Sequence, residues 1–165
     1  MTTSPWTLAD RGCPTCRKLA DRHYSRQKPG SPLFVPPGRC KVFRSGAPAK
    51  ALWVTSWPFA EYTKHAWAGA WICSLFRNEG AGLSSHLITE AIAATRFFWD
   101  PPEKGMVTFV KKSAIKSVNP GYCYKKAGFR VVGETKVNKL VALQMLPSEM
   151  PDARPPIGVQ MGMFL

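Results

Sequence analysis

Positions Leu83, Leu87, Ile88, Ala91, Ile92 and Thr95 recur three and four residues apart, the spacing that lines one face of a helix. The pattern predicts a helix over 83–98, stopped ahead of Asp100-Pro101-Pro102. Just upstream the period vanishes. WAGAWICSLF (67–76) is apolar throughout and predicts a strand buried on both faces. MVTFVKK (106–112) predicts a strand after the helix. RCKVFRS (39–45) alternates, and with AKALWVTSW (49–57) it predicts a hairpin about the turn GAP. FRVVGET (129–135) and KLVALQML (139–146) predict a second hairpin. Residues 13–25 read as a short helix with Leu19 and Ala20 inward, and 121–128 as another, stopped by Gly128. Residues 27–38 are a proline-rich loop, and 58–66 an aromatic-rich connection. Residues 1–12 read as an arm and 147–165 as an irregular tail. The sum is one mixed α/β (α+β) domain over 1–146, built around strand, glycine turn, helix, strand.

Composition sharpens this picture at one point. The chain has 165 residues, 45% hydrophobic, which suffices for one real core. Its net charge is +13 and unevenly spread. Lys and Arg outnumber Asp and Glu by 10 to 2 in residues 1–50 and by 9 to 3 in 101–150, while 51–100 carries 3 against 4. A neutral middle with basic flanks suits a polyanionic partner, a phosphorylated cofactor, or a solvated basic surface. No secretory h-region and no membrane-length apolar run is visible. Five cysteines at irregular spacing suit reduced thiols in a cytoplasm, whether of a bacterium or of a phage-infected host.

The junction between the central strand and helix reads FRNEGAGL (76–83). A helix N-terminus offers unpaired amides and a positive dipole end, and glycine lets a phosphate approach them. Arg77, Gly80 and Gly82 form R-x-x-G-x-G. This is neither the dinucleotide fingerprint nor a Walker loop. A tight turn without a ligand would also use such glycines. The spacing resembles the Q/R-x-x-G-x-G/A signature of the GNAT acyltransferases. NPGYCYKKAGF (119–129) is similar to that family's second landmark, with Tyr124 ahead of Lys126, Gly128 and Phe129. The two landmarks and MVTFVKK between them extend the resemblance over roughly 39–146.

This resemblance implies a single GNAT-like domain, with a mostly antiparallel twisted sheet flanked by helices. It implies a donor, acetyl-CoA or a related acyl-CoA. Leu75, Phe76, Arg77, Asn78, Glu79, Gly80, Ala81, Gly82 and Leu83 would hold it, with Asn119, Tyr122 and Tyr124 across the cleft. Tyr124 would protonate the leaving thiolate. HYSR (23–26), with the NPG…AGF block, further resembles phage and prophage proteins related to the Mom DNA-modification proteins. That implies modification of the exocyclic amine of adenine in DNA, with a carbamoylmethyl-type group. His23, Tyr24 and Ser25 are then candidates for base contact or proton transfer; packing, helix capping or a turn would also account for them.

The charge pattern also suits nucleic acid, with Arg22, Arg26 and Lys28 around HYSR and Lys111, Lys112 and Lys116 before the Tyr124 helix. Phe34, Trp57, Phe59, Tyr62 and Trp67 are aromatic candidates for the acceptor side, where an extruded base would stack. Residues 1–60 hold only Asp10 and Asp21 as acids, which disfavours a cationic acceptor. Transfer to a protein, RNA or small-molecule amine, and a non-catalytic nucleic-acid-binding module, stand as alternatives. Cys13-x-x-Cys16 reads as one zinc knuckle without its pair or as a first helical turn, and no metal is assigned. The oligomeric state is open, a dimer included.

Overall fold

A helix that follows a strand and returns the chain to the same sheet brings the next strand in parallel. In the computed structural model, which describes residues 3–23, 31, 34–46, 48–63, 65–112 and 121–159, this happens once between neighbouring strands. Strand β4 (Trp71–Asn78) leads into α2 (Ser84–Phe98) and on to β5 (Met106–Val110), parallel to β4. Every other pairing between these strands is antiparallel among the described residues, and the isolated bridge from Thr7 to Ile157 is parallel. The remaining elements are β1 (Thr7–Ala9), α1 (Pro14–Asp21), β2 (Arg39–Ser45), β3 (Ala51–Trp57), α3 (Tyr122–Ala127), β6 (Arg130–Glu134) and β7 (Val141–Met145). They complete an open seven-stranded sheet ordered β1-β2-β3-β4-β5-β7-β6. Among the described residues no helix is long and apolar enough to cross a membrane.

Helices cover both faces. On one, α2 and α3 bury Leu87, Ile88, Ala91, Ile92 and Tyr124 against Trp53, Trp71, Met106 and Leu143. On the other, α1 buries Cys16, Leu19 and Ala20 against Val42, Leu52, Val54 and Leu75. A polar chain ties α2 to the sheet. Trp53 Nε1 donates to Thr55 Oγ1 (2.7 Å), and Thr55 and Thr95 hydroxyls meet at 3.0 Å. Thr95 Oγ1 donates to the Ala91 carbonyl (2.9 Å), so the Thr55 hydroxyl must donate to Thr95.

The structure revises several boundaries. The expected amino-terminal arm supplies edge strand β1, because Trp6 is fully buried and its Nε1 donates to the Leu87 carbonyl at 2.8 Å. Of the tail expected as irregular over 147–165, Pro147–Glu149 form a turn of 3-10 helix, and residues 150–159 lack helix but are docked. The Arg154 amide donates to Ala93 O, and Ile157 pairs with Thr7. Helix α1 ends at Asp21 rather than 25. Strand β5 stops at Val110 rather than 112.

The central strand differs most. It spans 71–78 instead of 67–76, and it is not buried on both faces throughout. Trp71, Cys73 and Leu75 are buried, with half-buried residues between them. Opposite β3, Val54 pairs with Leu75 and Thr55 with Cys73, so Ser74 is an extra residue, a β-bulge. The bulge reverses the alternation. Cys73 and Phe76 face the α2–α3 side, whereas Leu75 faces α1.

Candidate functional site

The bulge sits where the sheet parts. β4 and β5 pair through Trp71–Met106, Ile72–Val107 and Cys73–Thr108, and no further. Past Cys73 the two strands diverge. The Thr108 hydroxyl closes the last rung by donating to the Cys73 carbonyl at 3.2 Å. The gap forms a cavity of about 260 Å³, lined by both faces of the sheet. Tyr124, Cys73 and Thr108 come from the α2–α3 side, and His23, Leu75, Phe109 and Leu140 from the other.

Tyr124 reaches this cavity from α3. Its ring meets Phe76 (6.2 Å) and Phe129 (5.5 Å) edge-on. Its hydroxyl lies 3.6 Å from Cys73 Sγ. Burial, then the neighbouring thiols, raise the phenol well above its usual range, so it holds its proton at any physiological pH. Burial likewise pushes the Cys73 thiol up to about 12. His23, just past α1, is hydrogen-bonded to the Phe76 backbone. Burial and the Arg77 charge pull its pKa down to about 4, so the imidazole is neutral.

The glycine turn follows closely on Phe76, which lines the cavity near the end of β4. Gly80 (φ 100°) and Gly82 (φ 143°) adopt backbone conformations closed to most L-residues. A Cβ on either would meet nothing within 4 Å, so the space above them is open. Asn78 builds the turn. Its Oδ1 accepts from the Gly80 (3.1 Å) and Ala81 (2.9 Å) amides, while its Nδ2 donates to Gly82 O (2.7 Å) and Ser84 Oγ (2.9 Å). The amides of Gly82 and Leu83 have no protein partner among the described residues. Leu83, 72% exposed, caps α2 with no side-chain hydrogen bond, and the first turn has no acidic residue. The positive end of α2 is therefore unneutralised.

Arg77 and Glu79 have partners inside the protein. Arg22 grips Glu79 with both Nε (2.7 Å) and Nη2 (2.8 Å), Arg77 Nε joins the same carboxylate, and Arg77 Nη1 donates to the Arg22 carbonyl (2.9 Å). Arg22 and then Arg77 hold the Glu79 carboxyl down to about 2. This cluster fastens the end of α1, and with it His23, to the turn.

The structure thus gathers Leu75, Phe76, Tyr124 and His23 in one cavity, and Arg77 to Leu83 continue the chain from its edge at Phe76. Tyr122 opens α3 and is half exposed. Lys111 and Lys112 are exposed, Lys112 resting 3.5 Å from Glu134. Tyr24, Ser25, Arg26, Lys28, Lys116 and Asn119 lie outside the described residues, as does the Tyr62 side chain. Two acceptor-side aromatics have structural places instead. Phe34 is in the α1-side core, and Trp57 packs on Trp71 and Trp99 beneath Arg39. Among the described residues no cluster of three His, Cys, Asp or Glu gathers about Cys13 or elsewhere. Sequence reasoning missed Thr108 and Phe109. Both sit in an ordinary-looking strand, and only the parting of β4 from β5 gives them a role. No protein-family model, curated protein or solved structure matches this chain.

Proposed function

We propose that this protein is a GNAT-like group transferase that modifies a base amine in DNA, with an acyl-CoA or related thioester as donor. The observation that carries the reading is the parting of β4 and β5 directly beside buried Tyr124, on the strand that leads through the glycine turn into a helix N-terminus with no side-chain cap. The residues present fit such a donor. Gly80 and Gly82 leave open the space a phosphate needs, the Gly82 and Leu83 amides have no partner among the described residues, and the cavity has apolar side chains in its lining. When bound, a thioester would supply an activated carbonyl and a thiolate leaving group. Tyr124 is placed to hold and give a proton within the cavity. Neutral His23 is a weak base. That suffices for an aromatic amine, which sheds its proton readily once its lone pair is engaged. Cys73, with its proton firmly bound, serves as a hydrogen-bond partner of Tyr124 rather than a nucleophile.

Exposed Lys111 and Lys112 and the basic flanks support a polyanionic acceptor. The adenine amine and a carbamoylmethyl-type group follow from the resemblance alone. Calorimetry should detect coenzyme A binding, abolished by Gly80→Trp, which fills the open space. Mass spectrometry of nucleosides from a bacterial host expressing the protein should show a new adenosine species, absent with Tyr124→Phe. Binding of coenzyme A with an unchanged nucleoside profile would retain the donor and exclude DNA. Absence of coenzyme A binding would sink the reading.

A further inference from the structure

We propose that a second cavity, separated from the first by Phe109 and Leu140, is a pocket for one unpaired base of a DNA strand. The inference rests on the transferase reading, since it names the acceptor's seat. The cavity measures about 740 Å³, within the range of small-ligand sites.

It exists because α1 covers only part of its face of the sheet. Over β5, β7 and β6 the cover is the segment that precedes β4. Trp67 lies over Gly133, its indole 3.4 Å from where a Cβ would stand, an ordinary packing distance. Phe109 rises from β5 to meet it. The rings of His65, Trp67 and Phe109 form a mutual cluster, with centroids 5.1 Å (His65–Phe109), 5.8 Å (Trp67–Phe109) and 6.1 Å (His65–Trp67) apart. All three line the cavity. His65 Nδ1 accepts the Trp67 amide at 3.1 Å, which fixes a neutral ring with its proton on Nε2. Burial, then Lys104, favour the same neutral form.

Such a wall could take a flat ring or a cation. Charge decides between them. Among the described residues of the lining the one carboxylate, Glu134, is already beside Lys112, and Lys104 and Lys136 add positive charge nearby. A cation would be repelled; a base whose flanking phosphates meet these lysines would not. Asn138 and Glu134 offer donor and acceptor groups to a base edge. Phe109 and Leu140 line both cavities, so a base seated here adjoins the space beside Tyr124.

The test uses a single-stranded oligodeoxynucleotide carrying one 2-aminopurine. Its emission should be quenched on binding as the base stacks. Trp67→Ala should weaken binding roughly 5- to 150-fold, the range for a lost base–aromatic stack. Val137→Glu, at a rim residue 89% exposed and therefore safe for folding, should weaken it several-fold at low salt. Deoxyadenosine monophosphate should compete only weakly; competition as strong as the strand's would make the ligand a free nucleotide. Tighter binding of the RNA strand would reassign the occupant. Either result overturns the proposal, as does unquenched emission, or wild-type binding by both variants. Coenzyme A calorimetry on the same samples separates the two readings. Coenzyme A binding without base binding removes the pocket alone. Base binding without coenzyme A binding removes the transferase reading and keeps the pocket.

Discussion

Asn78 is the residue on which the glycine turn depends, and Asn78→Ala tests that directly. The side chain makes four hydrogen bonds within the turn and to Ser84. Two are exposed and two half-buried. At about 0.5 kcal/mol for an exposed bond and about 1 for a half-buried one, the loss is roughly 3 kcal/mol before water replaces any partner, and about 2 afterwards. For a domain of this size that is a fall in Tm of roughly 4–8 °C. Asn78→Asp keeps the acceptor for the Gly80 and Ala81 amides but loses both donors, and it places a negative charge below the helix N-terminus. It should cost about half as much in stability while weakening anion binding more than Asn78→Ala does. Chemical denaturation gives the stabilities, and hydrogen exchange at the Gly80 and Ala81 amides reports the turn itself. An Asn78→Ala protein within 0.5 kcal/mol of the parent, with those two amides still protected, would refute the reasoning.

Tyr124→Phe should fold with less than about 1.5 kcal/mol of loss, since the ring contacts remain and one hydroxyl interaction is removed; thermal melts check this beside the loss of product. Gly80→Ala should cost about 1–2 kcal/mol from its positive φ alone, because there is room for the methyl, and equilibrium unfolding measures it. His23 titrates near 4 in the fold against an ordinary 6.5, so the unfolded chain binds the extra proton between those values. Stability should therefore fall as pH drops from about 6.5 to about 4, by up to about 3 kcal/mol from His23, and His23→Gln should flatten that slope in denaturation curves taken across pH. Arg22→Ala should leave the midpoint of chemical denaturation little changed, since its ion pair with Glu79 is exposed.

Helix α2 was legible because Leu87, Ile88, Ala91 and Ile92 repeat its period and two prolines mark its end. The hairpins were legible from alternation. Strand β4 was misplaced for a physical reason. A bulge leaves no compositional mark, and an extra Ser74 that flips the facing of Leu75 reads as a strand apolar on both sides. β1 was missed because three residues are too short for a period, and what holds them is Trp6, buried through contacts distant in sequence. At the site, the turn and Tyr124 stood out as spacing. The internal pairing of Arg77 with Glu79 and Arg22 did not, since Arg22 lies 55 residues away from Arg77. His65 and Phe109 carried no signal at all until the sheet brought them beside Trp67.

Because pairing between β4 and β5 stops at Cys73–Thr108, the sheet is mechanically two plates, β1–β4 and β5–β7, joined along a short parallel seam. A molecule wedged into the parting would act as a strut between them. At a concentration one hundred times its dissociation constant it would add about 2.7 kcal/mol, shared by both plates rather than confined to the residues it touches. Ligand loading should then raise the cooperativity of unfolding as well as its midpoint, with the amides of β4 beyond Cys73 and of β5 beyond Thr108 gaining the most protection.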